Sequence, residues 1–426
     1  MNAGEPGTCP EPVERVPQLS SAYKDALAWL YGTQRFGIKL GLENIQRLLR
    51  ELDVPAGGQR VVHVAGTNGK GSVCAMIDAV CRAQGYRTGL FTSPHLVTYR
   101  ERIQVDGEMI AEEKIAEGLT TIRKLISNWE PHPTFFEITT ALGLIHFKEC
   151  GCEVIALETG LGGRLDATNA VEPVVSVITP IGYDHQSWLG SSLEEIAGEK
   201  AGIIKAHIPV VSAAQEPAAE KVLRARAAEC ETPVQIVSGP YTTIPLALSG
   251  AHQKQNASLA IAALRFGGIA VRKEAVVQGL ATVRWPARFQ HWDERTIIDG
   301  AHNPSGASVL AETWREQFGD ERATIILAVL SDKDLRGICE ALAPISDYAV
   351  LPRIRSQRAT DPTTLAKIFS TITPPLQYSI TSSIADAFEL ARARPNPILL
   401  TGSLHFAGEA LAHLRGEPAA FEECTQ

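Results

Sequence analysis

The sequence predicts an α/β fold in two unequal parts, each built on a mainly parallel, doubly wound sheet, and three features carry that prediction. Short apolar runs alternate with segments of helical periodicity along most of the 426 residues, the pattern of strands joined by crossover helices. One run, at 61–65, leads into the glycine loop Gly66-Thr67-Asn68-Gly69-Lys70-Gly71-Ser72 and then into a helical segment, so the first sheet is of P-loop type. The alternation also restarts after a polar, proline-bearing stretch, WPARFQHWDE at 285–294. A smaller, Rossmann-like α/β domain is therefore expected to follow the first.

In chain order, residues 1–18 are Pro/Gly-rich and acidic and read as a disordered tail. Apolar spacing predicts helices at 21–31 and 42–52, separated by a loop. The strand 61–65 and its loop come next, then a strand at 88–92 ending in Ser93-Pro94-His95, and an extended piece with a turn at 100–107. Helices are expected at 111–128 and 135–150, with Glu137 as an exposed acid in the first turn of the second. Fully apolar strands follow at 154–157, ending in Glu158, and at 174–178, ending near Asp184-His185. A helix at 193–204, a strand at 209–213, a helix at 217–230 and a strand at 233–237 continue the alternation. Helices at 255–266 and 273–282 close this part, with Asn256 at the start of the first. The second part has strands at 296–298, 324–329, 348–352, 376–379 and 398–401 with helices between them. The expected division is a tail at 1–18, a nucleotide-binding domain at 19–290 and a second domain at 291–426.

Composition narrows the function. With 40 Lys and Arg against 48 Asp and Glu, the net charge is −8, which argues against a nucleic-acid binder driven by bulk charge. No apolar run approaches the roughly 20 residues of a membrane span, and no apolar signal core opens the chain. Six of the eight cysteines lie in or beside apolar runs and there is no CxxC, which points to buried free thiols and a reducing compartment. A cytoplasmic protein is expected.

The polar clusters fall at strand ends, where doubly wound sheets bind ligands. In the loop 66–72 the glycines let backbone N–H groups close around an anion, the helix start adds positive potential, and Lys70 adds a charge. The spelling departs from GxxxxGK[ST], because Gly71 separates Lys70 from Ser72. Glu158, followed by Gly160-Leu-Gly162-Gly163, stands where a magnesium-binding acid belongs in a nucleotide site, and equally where an acid caps a helix. His185 suits a metal ligand or a phosphate contact, and also a loop histidine. Ser93 offers a hydroxyl in what is also a plain turn, and Lys200 sits on a helix where a solvated lysine would be ordinary. Asn256, Arg288, Asp299 and His302 suit nucleotide contacts from across a cleft, or a helix cap, a linker ion pair and a turn.

The motifs GTNGKGS, FTSPHL, ERIQVDG, FFEITTALG, ETGLGGRLDATN, DHQSWLG, EKAGIIK, HQKQNA, WPARFQ, DGAHNP and TGSLHFAGE occur in one order between about 36 and 409. As a set they resemble the folylpolyglutamate synthase/dihydrofolate synthase family of the Mur-ligase superfamily. The resemblance implies an ATP-dependent acid–amino-acid ligase in which ATP phosphorylates a carboxylate and the amine of L-glutamate attacks the acyl phosphate. Dihydropteroate, a folate, or both would be the acceptor. It implies that Gly66, Thr67, Asn68, Gly69, Lys70, Gly71 and Ser72 hold ATP phosphates, and that Asn256, Arg288, Asp299 and His302 contact the nucleotide. Ser72, Ser93, Glu158 and His185 resemble magnesium ligands, and Lys200 resembles the lysine that the family carbamylates to bind a second metal. Lys70, Glu158, His185 and Lys200 would carry the catalysis, in a monomer. The loops 36–42 and 166–169 resemble walls of the pterin and ATP sites. Asn44, Arg100 and Ala287 depart from residues common in the family, the first two near the folate-side loops. Two other readings are a cell-wall amide ligase of the same architecture, against which Gly71 and TSPHL weigh, and a nucleotide-binding regulator. The regulator would have no need of the set Glu158, His185 and Lys200.

Overall fold

The computed structural model describes residues 20–36, 41–55, 58–242 and 245–423. The tail at 1–18 and most of the 36–42 loop lie outside the described residues. Eight strands form the larger sheet: β1 (Arg60–Ala65), β2 (Thr88–Phe91), β3 (Ile103–Val105), β4 (Glu108–Met109), β5 (Val154–Glu158), β6 (Val175–Ile178), β7 (Val210–Ala213) and β8 (Val234–Val237). Their order is β4-β3-β2-β5-β1-β6-β7-β8. All neighbours from β2 to β8 pair in parallel, and β3 and β4 add an antiparallel edge. The turn expected at 100–107 is thus a short 3₁₀ segment, Tyr99–Arg102, followed by a β3–β4 hairpin.

Alternation along the central strands explains the double winding. Val61 of β1 and Ile155 and Leu157 of β5 face a core shared with the helices Ser21–Gly32, Glu43–Glu51, Glu112–Leu125 and Phe135–Glu149. Val62, Val64, Val154 and Ala156 face the other way, into a core shared with Lys70–Gln84, Ala251–Phe266 and Lys273–Thr282. His63, also on the first face, is fully buried between the hydroxyls of Thr168 (2.8 Å) and Thr159 (3.0 Å). Burial lowers its imidazole to about 3, with Lys205 adding to the shift, so it packs as a neutral ring.

The second sheet contains β9 (Gln290–His291), β10 (Thr296–Ile298), β11 (Ala323–Leu327), β12 (Ser346–Pro352), β13 (Tyr378–Thr381) and β14 (Ile398–Thr401), in the order β13-β12-β11-β14-β10-β9. All but β9 are parallel. Two apolar cores flank it, one around Trp314 and Phe369, the other around Phe388 and Phe406.

Several expectations are corrected in detail. The polar, proline-bearing stretch 285–294 contains a strand that the sequence did not predict: β9 pairs antiparallel with β10, and Ala287 and Phe289 are buried. Both have positive φ, 54° at Ala287 and 44° at Phe289. That conformation favours glycine, yet both positions carry side chains. The helix expected at 255–266 begins at Ala251, so Asn256 lies in its second turn and not at its start. Glu137 is 6% exposed; its carboxylate accepts the Thr134 N–H (2.8 Å) while the Thr134 hydroxyl accepts the Glu137 N–H, a closed capping box. Of the cysteines that the structure describes, Cys74, Cys81, Cys152, Cys230 and Cys339 are buried free thiols and Cys150 is half-buried. Among the described residues no helix is long and apolar enough to cross a membrane.

Candidate functional site

The carboxyl ends of β1, β2, β5 and β6 meet at one edge of the larger sheet, and the loop 66–72 occupies its centre. Gly66 has φ 144° and Gly69 φ 92°, and neither has room for a side chain. A Cβ on Gly66 would collide with the Thr179 hydroxyl; one on Gly69 would lie 2.7 Å from Asn256 Oδ1. The helix Lys70–Gln84 starts at once, and its first internal bond runs from Val73 N–H to Gly69 O (2.9 Å). The N–H groups of Lys70, Gly71 and Ser72 therefore have no carbonyl partner within the helix. Lys70 folds back over the loop, its Nζ donating to Gly66 O (3.3 Å) and Thr67 O (3.1 Å). Glycines, free N–H groups and an ammonium at a helix N-terminus make a cradle suited to phosphate oxygens.

Ser72 is buried and its hydroxyl accepts from Gln253 Nε2 (3.3 Å); Gln253 in turn accepts from Asn256 Nδ2 (3.0 Å). Asn256 is thereby fixed against the loop by a residue that sequence reasoning missed. The Thr179 hydroxyl beside Gly66 is buried without a hydrogen-bond partner.

Glu158, at the end of β5, is 5% exposed, and its Oε2 accepts the Ser93 N–H (3.1 Å). Burial raises its carboxyl, opposed first by the charge of Lys70. A cleft runs between the two domains and is lined by Gly71, Ser93, Glu158, Trp285, Arg288 and Leu404, among others. Lys200 is 4% exposed, in the last turn of the helix Leu193–Ala201, and its Nζ donates to Gly66 O (2.8 Å). Burial, and then the neighbouring Lys70 charge, lowers its amine to about 7.

The second domain closes on this edge through Asp184. Its carboxylate, 9% exposed, meets Lys333 Nζ (2.6 Å), His302 Nε2 (3.5 Å) and Asn303 Nδ2 (3.2 Å). Burial acts to raise that carboxyl, but the bond from His302 and the surrounding positive charge outweigh it and hold it well below the usual range. Asn68 of the loop reaches Asn303 (3.1 Å) and Ser305 (2.8 Å). His185 stands beside Asp184 at 3.9 Å with its side chain 41% exposed and φ 51°. Asp299 is half-buried, its carboxyl raised by desolvation against the Arg288 charge; it accepts the N–H groups of Phe289 and Ala301 (both 2.8 Å). Asp299 thus shapes the turn that carries Arg288 and His302, as well as being a candidate contact.

The structure therefore gathers the loop, Ser72 with Asn256, Ser93 with Glu158, Lys200, and His185 with His302 around one cleft edge. Contacts join Lys200 to the loop and Ser93 to Glu158, whereas His185 joins Asp184 and no other candidate metal ligand. Among the described residues no group of three or more His, Cys, Asp or Glu side chains is placed to hold a metal ion alone. Two hydroxyls, one buried carboxylate and one imidazole are instead a partial, mostly hard-oxygen set, which suits a Mg²⁺ or Mn²⁺ that takes its other ligands from phosphate and water. Asp184, Asn303, Ser305 and Lys333 were not among the candidates. DGAHNP and SDKDL each place polar groups after a strand, but only the fold puts them opposite Asn68.

The Gly71 insertion also has a structural partner. A Cβ there would lie 2.9 Å from Trp285 Cζ2 and 3.0 Å from its Nε1. Gly71→Ala gains helix propensity of about 1 kcal/mol, which offsets part of the clash, so the melting temperature should move little. Trp285 lines the cleft and must shift, so kcat/KM should fall by about tenfold or more. Steady-state kinetics beside a thermal melt checks this; an active variant with wild-type kcat/KM would detach Gly71 from the cleft geometry.

A phosphate-cradling loop on a doubly wound sheet, faced across a cleft by a second α/β domain, is the arrangement of a nucleotide-dependent enzyme, and the Mur-ligase family models give its class. The Mur ligase middle domain matches residues 64–232 and the Mur ligase glutamate ligase domain residues 287–404. The chain is 35% identical to a Bacillus subtilis dihydrofolate synthase/folylpolyglutamate synthase over 93% of its own length and 100% of the relative's. Among solved structures it resembles a Mycobacterium tuberculosis folylpolyglutamate synthase complexed with ADP and AMPPCP, with a TM-score of 0.84, 33% identity and coverage of 92% and 99% of the two chains. It also resembles a Yersinia pestis bifunctional folylpolyglutamate synthase/dihydrofolate synthase complexed with AMPPNP and a Mn ion, with a TM-score of 0.83, 29% identity and coverage of 94% and 100%. The chain belongs to the folylpolyglutamate synthase/dihydrofolate synthase family.

Proposed function

We propose that this chain is an ATP-dependent ligase that joins L-glutamate to dihydropteroate, to the glutamate tail of a reduced folate, or to both. The observation that supports it is the meeting of a phosphate cradle, a buried Glu158 and a second-domain face at one cleft, in a chain so similar to the Bacillus subtilis enzyme over its whole length. A carboxylate is a poor electrophile. Transfer of the ATP γ-phosphoryl to it gives an acyl phosphate and ADP; attack by the glutamate amine then forms the amide and releases phosphate. Catalysis is mainly positioning and charge neutralisation.

In this reading the loop 66–72 and Lys70 orient the phosphates, and Asn256, Arg288, Asp299 and His302 fix the nucleotide between the domains. Ser72, Ser93, Glu158 and His185 would hold a magnesium ion, which supplies neutralisation of phosphate charge when bound. Lys70 faces the same phosphates from the loop. Asp184, pinned by Lys333, keeps the second domain over the cradle. The protein acts as a cytoplasmic monomer and needs no nucleic acid or membrane.

A paired assay tests the proposal. Purified protein with ATP, Mg²⁺ and L-glutamate should release ADP when given dihydropteroate, tetrahydrofolate monoglutamate, or both, and turnover with both establishes bifunctionality. Turnover with neither, but with a muramyl precursor, would replace this reading by the cell-wall one.

A further inference from the structure

The loop that carries Ser93 is held from the far end of the chain. After the last helix, Leu404–Leu414, the chain turns back and Glu422 docks on residues 95–99 of the first domain. Its N–H donates to Val97 O (2.8 Å), and its own carbonyl meets His95 Nε2 (2.9 Å). Its carboxylate accepts the Tyr99 N–H (2.5 Å), the Thr98 hydroxyl (3.2 Å) and the Tyr23 hydroxyl (3.1 Å). Phe421, one residue earlier, packs edge-on against His405 of the last helix, with ring centroids 5.1 Å apart.

Three other contacts bind the same loop. Val97 is 5% exposed and is counted in the apolar core of the second domain, beside Phe406 and Leu411. The last helix presses so closely on Leu96 that a Cβ on Gly408 would collide with the Leu96 carbonyl. Glu101 accepts the N–H groups of Leu96, Val97 and Thr98. Ser93, four residues before Val97, gives its N–H to Glu158 and lines the interdomain cleft.

We infer that the C-terminal segment is a strap in which Glu422 is a positioning residue: it fixes the Ser93 loop against the second domain, and so sets the donors Ser93 and Glu158 for the metal–nucleotide complex. This rests on the function proposed above for the Ser93–Glu158 pair. Glu422 touches no reacting atom. It supplies acceptors for two donors of the loop, the Tyr99 N–H and the Thr98 hydroxyl, which Glu101 does not reach. Without them Glu101 still holds the N–H groups of Leu96, Val97 and Thr98, but the Tyr99 N–H and the Thr98 hydroxyl lose their anchor on the C-terminal segment.

The test compares the full-length wild-type chain with Glu422→Ala, Glu422→Gln and Thr98→Val. A glutamine keeps an oxygen for Tyr99 and Thr98, and the Tyr23 hydroxyl can turn to accept from its amide. Glu422→Ala should raise the Mg²⁺ concentration for half-maximal turnover, and the KM for ATP, by between about 10- and 100-fold, as expected for a displaced donor. Glu422→Gln should restore most of the loss, and Thr98→Val should shift both constants the same way by less. Backbone hydrogen exchange at 95–99 should quicken in Glu422→Ala while the strands of both sheets keep their protection. An alanine variant with wild-type Mg²⁺ and ATP constants overturns the inference, as does one that loses only thermal stability. If Glu422→Ala does not fold, the Mg²⁺ dependence of Thr98→Val decides in the same sense. Exchange separates this idea from the functional reading: a wild type inactive with every pterin refutes the reading, while unchanged exchange at 95–99 in Glu422→Ala refutes the strap.

Discussion

Lys70→Ala is expected to lower ligase turnover by about 10³-fold or more, because it removes the cation of the phosphate cradle at the point where charge is transferred. The fold should survive. In this structure Lys70 makes two bonds to loop carbonyls at the sheet edge, together worth about 1–3 kcal/mol at most, and no core packing depends on its ammonium. The effect reaches further than phosphate contact. Lys70 is the largest charge opposing the upward push of burial on Glu158, and it helps to keep the Lys200 amine low. Its loss therefore pushes both groups upward, and Lys200 spends more time protonated. ADP release measured beside a thermal melt checks the prediction. Turnover within tenfold of wild type, in a folded variant, would remove loop 66–72 from the reaction.

What the sequence discloses is what local rules encode. The buried parallel strands are continuous apolar runs such as Val61–Val62 and Ile155–Leu157, and the cradle is a contiguous string of glycines with a lysine, so both are readable without the fold. Glu158 and Lys200 were visible as polar residues at the right ends of a strand and a helix. Their burial, which turns an ordinary acid and an ordinary lysine into perturbed ones, comes from other segments: Gly66 accepts from Lys200 across 134 residues. Asp184 and Lys333 are 149 residues apart, and Glu422 reaches Tyr99 across 323; no periodicity predicts either pair. Glu137 fails for a related reason. A first-turn acid is normally solvated, but here the helix start is itself buried, with Phe135 packed on the rings of Tyr31 and Tyr99, and the capping box with Thr134 satisfies the carboxylate. The strand β9 was hidden because two residues of an antiparallel edge carry no alternation to detect.

Lys200 gives the second large effect, and its sign with pH can be worked out. We propose that Lys200 is carbamylated: the neutral amine attacks CO₂, an N–C bond forms, and one proton leaves to solvent. The remaining N–H of the product can still donate to Gly66 O, the bond the amine makes now. Only the neutral amine reacts, and burial, followed by the Lys70 charge, brings this one down to about 7. About half is then neutral at pH 7, and roughly a tenth at pH 6. Turnover in CO₂-depleted buffer should fall and return with added bicarbonate, and the bicarbonate needed should rise as pH drops from 7 to 6. Lys200→Ala should lose about 10²-fold or more in turnover and ignore bicarbonate, because the negative donor beside the cradle is gone. Stability moves in the same direction with pH. Between pH 7 and the unfolded value of 10.5 the unfolded chain holds a proton on Lys200 that the folded chain has released, so this residue favours folding more as pH rises and penalises it most below 7. Lys200→Met should therefore be more stable than wild type at pH 6 while being inactive, the mark of a group kept for chemistry at a cost to the fold. Wild-type turnover that is indifferent to bicarbonate, with Lys200→Met less stable at pH 6, would make Lys200 a structural lysine.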